Sequence, residues 1–401
     1  MRGEAEVGHR QHYSDRACSS NDTFARVSPL LARYGVTRVA RQTGLDRLGI
    51  PVWSAIRPNS LSLAVNQGKG IDDADARISA VMEAFERAVA GAPQIAAHTA
   101  SLAGMQAAGR AVDPLNCLIA RGKTAIAESD MVCWVEGYDL IGGRPVCVPL
   151  EAVMLDRTAE ARFWQSSDGL ASGNTPLEAT FHGLLERIER DAEALWSFAK
   201  PGERAGNCVD PSGFNDPVIS ALATKIHQAG LLLRLFDVTS DIGIPCFSAL
   251  IGPHDIRQRR NILYAEAANG SGCHPDPVRA AIRAITEAAQ SRLALIGGAR
   301  DDIAEELYAR PMPSSLIEDF AIEPVIVKFC RYANNTLSGK LRLTLQALTR
   351  QAVTSVVVVP LNPLDAAFSV VKVLVPQLEN PPGDRRARFG GRALSRMMRR
   401  E

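Results

Sequence analysis

The sequence lacks a long apolar stretch, closely spaced cysteines and an excess of one charge. A membrane-spanning helix needs about 20 consecutive apolar residues, whereas the most apolar run, Ser355–Leu361, is short and interrupted by Pro360. The N-terminal sequence has no apolar segment, so we predict no secretory signal. The eight cysteines lie far apart in the chain, which disfavours a zinc site and indicates the reduced cysteines of a cytoplasmic protein.

Positive and negative charges are balanced, with 45 Lys and Arg residues against 44 Asp and Glu residues. This balance excludes a generally basic nucleic-acid-binding protein and an acidic tail protein. The 401 residues include 46% hydrophobic residues, which is enough for a large core without disulfides. We therefore predict a globular protein whose partners include neither nucleic acid nor a membrane.

The chain divides into three parts by composition. Residues 1–26 are polar and weakly patterned, which is typical of a flexible arm. Residues 27–392 carry the apolar periodicity and are predicted to form one catalytic domain. Residues 393–401 are predicted to be a basic C-terminal tail.

Helical and strand patterns alternate along the chain, so we predict a mixed α/β fold. Helical periodicity is strong in Ala76–Ala90, Leu177–Ala199, Pro217–Ala229 and Asp276–Ile296. Strand patterns occupy Leu231–Thr239, Val353–Pro360, Ser369–Val375 and the two arms of Trp134–Pro149, which flank a Gly-Gly turn.

One internal similarity indicates two related halves. Gly49–Ile56 reads GIPVWSAI and Gly243–Leu250 reads GIPCFSAL. Each precedes a helix with an acid followed three residues later by an acid or amide, Glu83–Glu86 in the first and Glu287–Gln290 in the second. Chance similarity between two buried strands is the alternative.

Three predicted helices share this acidic pattern and add an arginine just after it: Ser79–Arg87, Glu186–Asp191 and Glu287–Arg292. Apolar residues such as Val81 and Phe85 flank the acids, so the acids do not lie on a wide polar face. Carboxylates on a largely apolar helix must be paired or bind a cation. Paired carboxylates suit Mg²⁺ that holds a polyphosphate, and arginines suit the phosphates. Solvated helix faces stabilised by the neighbouring arginines are the alternative.

Polar residues near these helices extend the candidate site. Lys69 lies in a Gly-Lys-Gly turn that can bring its ammonium to a phosphate, and Asn174 and Glu178 are four residues apart at a helix start. His182 shares a helix face with Glu178 and Glu186. It is therefore either part of a ligand shell or a buried, hydrogen-bonded histidine.

Two apparent nucleotide-binding motifs fail on inspection. Gly122–Thr124 resembles the end of a P-loop, but Cys117 stands where that loop needs its first glycine. Gly270–Gly272 precedes a helix, but Pro275 replaces the third glycine of the dinucleotide fingerprint.

Taken in order, these segments resemble the YcaO family. The resemblance is carried by Thr43–Pro58, Gly68–Gly70, Ser79–Arg87, Ser172–Asp191, Thr239–Ala249, Ala280–Arg292 and Arg385–Arg392. It implies a mixed α/β YcaO-type fold with the ATP site between two pseudo-related halves. It also implies an enzyme that uses ATP and Mg²⁺ to activate peptide backbone amides. In the family the amide oxygen attacks the γ-phosphate, usually after a nucleophile has added to the amide carbon. The product is an azoline when the nucleophile is a Cys, Ser or Thr side chain, and a thioamide when it is sulfide.

The resemblance also implies roles for individual residues. Nucleotide contacts are expected from Lys69, Ser79, Asn174, Glu178, His182 and Arg190, Mg²⁺ contacts from Glu83, Glu86, Glu178, Glu186 and Glu189, and catalytic roles for Arg190, Glu287 and Arg292.

The sequence departs from the family pattern in two places. His182 stands where a glutamine is often seen, and the chain ends without the proline-rich ending of azoline-forming members. The second departure favours the thioamide branch, which commonly works with a separate TfuA-type sulfur-delivery partner. The segment before Thr43 is too short for a fused leader-binding domain, so we expect a partner protein for sulfur delivery or for peptide capture.

Other functions remain open at the level of sequence. They are an azoline-forming cyclodehydratase, a Mg²⁺-dependent phosphohydrolase and a non-catalytic scaffold in a peptide-modifying complex. The complete set of acids disfavours the scaffold, because a non-catalytic protein has no use for so many carboxylates on apolar helices. A homodimer is compatible with the sequence.

Overall fold

The computed structural model describes residues 13–332, 336–363, 366–380 and 389–398. Its α-helices are α1 (Ser20–Val27), α2 (Asp73–Gly91), α3 (Leu102–Ala107), α4 (Leu150–Val153), α5 (Pro176–Trp196), α6 (Pro201–Asn207), α7 (Pro217–Gln228), α8 (Pro277–Gly297), α9 (Glu306–Ala309), α10 (Ser314–Ala321), α11 (Leu337–Arg350) and α12 (Gly391–Met398). Its strands are β1 (Arg38–Arg41), β2 (Val52–Ile56), β3 (Val65–Lys69), β4 (Ala97–Ser101), β5 (Met131–Asp139), β6 (Arg144–Pro149), β7 (Leu170–Gly173), β8 (Cys208–Val209), β9 (Leu231–Asp237), β10 (Cys246–Pro253), β11 (Ala268–Cys273), β12 (Val357–Pro360) and β13 (Ser369–Leu374).

The predicted helices and strands are confirmed, except that the strand predicted from Val353 begins only at Val357. Side-chain caps explain where the three acidic helices begin. Asp72 caps α2, Thr175 caps α5 and Asp276 caps α8, each by accepting a hydrogen bond from a backbone N–H of the first turn. Pro176 and Pro277 occupy the first turns of α5 and α8, where a backbone N–H would have no hydrogen-bond partner within the helix.

The strands form three antiparallel sheets. They have the orders β1-β2-β3, β11-β10-β9-β8 and β4-β5-β12-β13-β7, with β6 also paired to β5. Helix α2 packs on the first sheet, α8 on the second and α5 on the third. The acidic helices therefore each belong to a different sheet, and the site is built where these three layers meet.

Glycines in the strands let two of these helices approach closely. A Cβ atom on Gly68 of β3 would lie 2.0 Å from the backbone nitrogen of Ala80 in α2. A Cβ atom on Gly270 of β11 would lie 2.1 Å from the backbone nitrogen of Ala288 in α8. These glycines are required by packing, and Gly270 in the failed dinucleotide motif is one of them.

The two similar GIP segments lead into the same local arrangement. β2 pairs with β3 and is followed by α2, while β10 pairs with β11 and is followed by α8. In both cases the helix packs on the hairpin that precedes it.

The N-terminal boundary predicted at residue 26 needs correction. Residues 13–27 lie against the folded core and include α1. Asp15 makes ion pairs with Arg279 and Lys340, which are hundreds of residues away in sequence. Residues 1–12 of the predicted arm lie outside the described residues.

The C-terminal boundary at residue 393 also changes. Helix α12 begins at Gly391, and Ala393 is fully buried. Arg392 makes an ion pair with Asp191 of α5, whose side chain is also fully buried. Residues 399–401 of the predicted tail, and Arg385–Arg388 of the family-like segment, lie outside the described part of the chain. In the described ranges, no helix is both long and apolar enough to cross a membrane.

Candidate active site

A cavity of about 520 Å³ lies between α2, α5 and α8. All three acidic helices contribute side chains to it, and β3, β7 and the segment 13–16 close its sides. Every predicted site residue except Arg292 lines this cavity. The structure therefore brings together residues that are more than 200 positions apart in sequence.

Helix α2 presents Glu83 and Glu86 to the cavity, and each is held by backbone groups. Glu83 accepts a hydrogen bond from the Gln67 N–H (3.1 Å) and pairs with Arg87 (3.2 Å). Glu86 accepts from both the N–H (2.9 Å) and the hydroxyl (2.6 Å) of Ser172 in β7. Strand β7 thus fixes a carboxylate that belongs to α2. Ser79 lines the cavity one turn before Glu83.

The start of α5 forms a second carboxylate position. Glu178 accepts hydrogen bonds from the backbone N–H (2.8 Å) and the amide group (3.0 Å) of Asn174. Its other oxygen accepts from the backbone N–H of Ala17. Asn174 in turn accepts from the hydroxyl of Thr23 (2.8 Å). The N-terminal segment therefore contacts the predicted nucleotide residues directly.

Arg190 is the central cation of the cavity. Its guanidinium lies 2.6 Å from Glu193, 3.5 Å from Asp168, 3.6 Å from Glu189 and 4.0 Å from Glu186. Burial opposes its charge, but these carboxylates outweigh burial and hold the pKa of Arg190 well above its usual value. Arg190 is therefore a permanent positive charge among acids from two turns of α5 and from the loop before β7.

Three carboxyl groups in the cavity have raised pKa values. Burial, the largest cause in each case, raises the pKa of Glu86 to about 7, of Glu186 to about 8 and of Glu189 to about 7. Repulsion between neighbouring carboxylates adds to this effect, whereas Arg190 opposes it for Glu186 and Glu189. The cavity without a ligand therefore carries more carboxyl groups than its own cations can keep ionised.

Glu287 behaves differently because it has a cation of its own. It makes an ion pair with Lys69 from β3. Burial alone would raise the pKa of Glu287, but the charges of Lys69 and Arg190 outweigh burial and lower it. The pair joins α8 to β3 across the cavity, so the structure brings these two predicted residues together.

Arg292 is the one predicted site residue that the structure places elsewhere. It makes an ion pair with Asp46 (2.6 Å) and lies near the Glu266 carbonyl. Helical geometry explains the difference, because a residue five positions after Glu287 lies about 140° around the helix from it. Arg283, four positions before Glu287, shares its face and lines the cavity instead.

His182 contacts this arginine. The Arg283 guanidinium lies 3.3 Å from His182 Nδ1, which must accept the hydrogen bond, so the proton is assigned to Nε2. Burial and then the charge of Arg283 hold the pKa of His182 well below its usual value, so it is neutral. The histidine is thus both hydrogen-bonded and part of the cavity wall.

The sequence interpretation missed several cavity residues in the N-terminal segment. Arg16 lies near the carboxylates of Asp75 and Glu178 and lines the cavity. Asp15 accepts a hydrogen bond from His274 (2.9 Å) and anchors the segment through Arg279. A polar composition alone does not distinguish such residues from a solvated arm, because their partners lie elsewhere in the chain.

The donor set fits Mg²⁺ shared with phosphates. No group of three or more His, Cys, Asp or Glu side chains among the described residues forms a complete metal site. Mg²⁺, however, usually binds one or two carboxylates together with phosphates and water. In the described ranges, Glu189 Oε2 is buried and has no hydrogen-bond partner, as expected of an oxygen that needs a cation. The arginines and Lys69 on the same walls suit the phosphates.

The donor set of this cavity suits a Mg²⁺-bound polyphosphate. Comparison with known proteins identifies the family. The family model described as YcaO cyclodehydratase, ATP- and Mg²⁺-binding, matches residues 67–379. The chain therefore belongs to the YcaO family, whose members are ATP- and Mg²⁺-dependent peptide-modifying enzymes.

Curated relatives match nearly the whole chain. An uncharacterized protein in the tfuA 3′ region of Rhizobium leguminosarum bv. trifolii is 41% identical over 393 residues, covering 96% of this chain and 93% of the relative. An uncharacterized protein of Methanothermobacter thermautotrophicus is 35% identical and covers 91% of this chain and 95% of the relative.

Solved structures share the fold. A YcaO protein from Methanopyrus kandleri, bound with AMPPCP and Mg²⁺, has a TM-score of 0.66 at 21% identity, covering 92% of this chain and 97% of that one. A heterocyclase in complex with substrate and cofactor has a TM-score of 0.73 at 21% identity and covers 91% of this chain. This chain spans 53% of that heterocyclase.

Proposed function

We propose that this chain forms thioamides in a peptide backbone, with ATP and Mg²⁺ bound in the cavity between α2, α5 and α8. The observation that carries the choice of product is the 41% identity, over 96% of the chain, to a protein named for its place in the tfuA 3′ region. In this proposal a TfuA-type partner delivers the sulfur. The two related halves inferred from the GIP segments would lie on either side of the nucleotide.

The carboxylates are proposed to hold Mg²⁺. Glu83, Glu86, Glu178, Glu186 and Glu189 are the candidates, since all five line the cavity. Glu86, Glu186 and Glu189 have the raised pKa values of acids that need a cation. Glu189 adds a buried oxygen without a partner among the described residues.

The cations are proposed to bind phosphate oxygens. Lys69 and Arg190 retain the roles predicted from the sequence, and Arg16 and Arg283 join them because both line the same cavity. Ser79, Asn174 and His182 would orient the nucleotide by hydrogen bonds. Bound ATP would supply the phosphoryl group that turns the amide oxygen into a leaving group.

Glu287 is proposed to act beside the reacting amide. Burial opposes its charge, but Lys69 and Arg190 outweigh burial, lower its pKa and keep it ionised, so it can accept a hydrogen bond from the nucleophile and hold it beside the amide carbon. Arg190 would stabilise charge that develops on the transferred phosphoryl group. Arg292 is not part of this proposal, because it is bound to Asp46.

Nucleotide binding tests the site assignment. Glu86→Gln and Glu189→Gln should each weaken ATP binding measured by calorimetry in excess Mg²⁺, because each removes a negative charge that Mg²⁺ needs. Glu160→Gln is the matched control, since the Glu160 side chain is 85% exposed and lies outside the cavity. Wild-type affinity in both cavity variants would refute the assignment.

Mass spectrometry tests the product. The chain is produced with a TfuA-type protein and a candidate peptide substrate, and the mass of the peptide is measured. Exchange of oxygen for sulfur adds about 16 Da per site, whereas azoline formation removes about 18 Da. Azoline formation is the second candidate, favoured by the heterocyclase fold match. ATP hydrolysis with an unmodified peptide would instead favour a phosphohydrolase.

A further inference from the structure

The Gly-Ser-Gly segment at residues 270–272 of β11 lies between two helices of the cavity. A Cβ atom on Gly270 or on Gly272 would lie 2.1 Å or 2.2 Å, respectively, from the backbone of α8, so both glycines face that helix. Successive residues of a strand point to opposite faces of the sheet, so Ser271 points away from α8. The segment that fails as a dinucleotide motif thus presents one hydroxyl to α5, on the other face.

The hydroxyl of Ser271 is bound to a carboxylate that in turn holds Arg190. Ser271 is fully buried and donates a hydrogen bond to Glu193 of α5. The other oxygen of Glu193 accepts a hydrogen bond from Arg190 Nη1 (2.6 Å), one helical turn before it. Within the described part of the chain, Arg190 lines the nucleotide cavity and Glu193 does not. Glu193 therefore lies behind Arg190 and connects it to β11.

The remaining contacts of Arg190 leave one end of its guanidinium for a ligand. Its Nε lies 3.5 Å from Asp168, in the loop before β7. Its Nη2 lies 3.6 Å from Glu189 and 4.0 Å from Glu186, and both distances are longer than a hydrogen bond. The Nη2 end thus faces the carboxylates that are proposed to hold Mg²⁺, while the Nη1 end is fixed by Glu193.

The charge of Glu193 alone cannot explain a benefit for nucleotide binding, because a carboxylate repels phosphates. Its hydrogen bond to Arg190 can, because a planar guanidinium contacts phosphate oxygens well only in one orientation. Without this bond, Arg190 could turn to pair with Glu189 or Glu186 and withdraw its Nη2 from the phosphates. The two effects of Glu193 have opposite signs, so an experiment can separate them.

We propose that Glu193 is a positioning residue, fixed by Ser271, that holds the Nη2 end of Arg190 towards the γ-phosphate of the nucleotide. This inference rests on the proposed function, because that function places the transferred phosphoryl group at Arg190. It makes recognition of the γ-phosphate dependent on the contact between α5 and β11.

The test compares two nucleotides on the full chain. Calorimetry in excess Mg²⁺ gives the dissociation constants of ADP and of AMPPCP, which keeps a γ-phosphate, and their ratio is the γ-phosphate preference. The variants are Glu193→Ala, Ser271→Ala and Glu193→Gln, whose amide can still accept from Arg190 and donate to Ser271. Glu203→Ala is the matched control, since Glu203 forms an ion pair with Arg396 and, in the described ranges, lies outside the cavity.

We expect Glu193→Ala to lower the γ-phosphate preference about tenfold, which corresponds to about one charge-assisted hydrogen bond, and Ser271→Ala to lower it about threefold. The affinity for ADP should change little. Glu193→Gln and Glu203→Ala should keep the wild-type preference. In an Arg190→Met background, Glu193→Ala should cause no further loss, because the guanidinium that it positions is gone.

The proposal is overturned if Glu193→Ala keeps or raises the γ-phosphate preference, as its charge alone would require, or if it causes the same loss in the Arg190→Met background. It is also overturned if Glu193→Gln loses as much as Glu193→Ala, or if the wild type has no γ-phosphate preference. Should Glu193→Ala not fold, Ser271→Ala decides, and a wild-type preference there would overturn the proposal. A wild type that binds neither nucleotide would refute the proposed function and remove this inference with it.

Discussion

The buried carboxyl of Glu186 should make the nucleotide-free protein less stable as the pH rises. In the folded protein its pKa is raised to about 8, against a reference value of 4.5. The folded protein therefore holds a proton that the unfolded chain has released, and raising the pH favours unfolding. The loss of stability is absent below the pKa that Glu186 has in the unfolded chain. It reaches its full size above the pKa that Glu186 has in the folded protein.

The informative window runs from about pH 6.5 to about pH 8. Histidines with lowered pKa values, such as His182, make the protein more stable as the pH rises, which opposes the effect of Glu186. This opposition fades above pH 6.5, because the histidine then loses its proton in the unfolded chain as well. Near pH 8 the lowered pKa of Lys372 begins to act in the opposite direction. At about 1.4 kcal/mol per pKa unit, Glu186 alone should remove about 2 kcal/mol across this window. Glu86 and Glu189, whose pKa values are about 7, should remove about 1.5 kcal/mol more in total.

The perturbation is Glu186→Gln, which keeps the shape of the side chain and removes the titration. Urea unfolding followed by tryptophan fluorescence gives the free energy of unfolding at each pH. The wild type should lose about 3 kcal/mol between about pH 6.5 and pH 8, and the variant about 1.5 kcal/mol. Saturating ATP and Mg²⁺ should flatten the wild-type profile. A variant whose stability falls as steeply as that of the wild type would refute the reasoning.

The other predictions concern a cation, a glycine and the C-terminal helix. Arg190→Lys should lower turnover at least about tenfold while nucleotide still binds, because an ammonium offers no planar bidentate contact to phosphate; wild-type kcat would place Arg190 in a structural ion-pair network. Gly270→Ala should lower the free energy of unfolding by about 3 kcal/mol or more, since its Cβ would lie 2.1 Å from a backbone nitrogen of α8, whereas Gly44→Ala, with open space around it, should change it little. Arg392→Ala should lower the free energy of unfolding, measured in urea, by about 3 kcal/mol or more, because it removes the cation that pairs with the fully buried Asp191. A decrease below about 1 kcal/mol would show that the hydrogen bond from the Glu379 N–H is enough to stabilise Asp191.

The sequence revealed the acidic helices because their pattern is local. Glu86 lies within one helical turn of apolar residues such as Phe85. A carboxylate in apolar surroundings needs a cation or a hydrogen-bond donor, so this need can be inferred from the sequence alone. Motif matching did not identify which arginine of α8 lines the cavity. Arg283 and Arg292 belong to the same segment, and only the helical angle relative to Glu287 tells which one faces the cavity.

The role of the N-terminal segment was not visible in the sequence. Tyr13, Asp15 and Arg16 have no apolar periodicity, and their partners are set by the packing of all three sheets. Contacts of this kind depend on tertiary structure, and local patterns contain no information about them.

The position of Asp15 also bears on the order in which the enzyme becomes functional during its synthesis. The carboxylate leaves the ribosome long before its partners, which lie 259 residues further along the chain at His274 and 325 residues further at Lys340. Contacts this distant in sequence form late, because the intervening chain must first be ordered. A nascent chain can thus fold α2 and α5 long before the wall of the cavity is complete. The wall of the cavity formed by residues 13–16 should therefore become ordered only after α11 has been made.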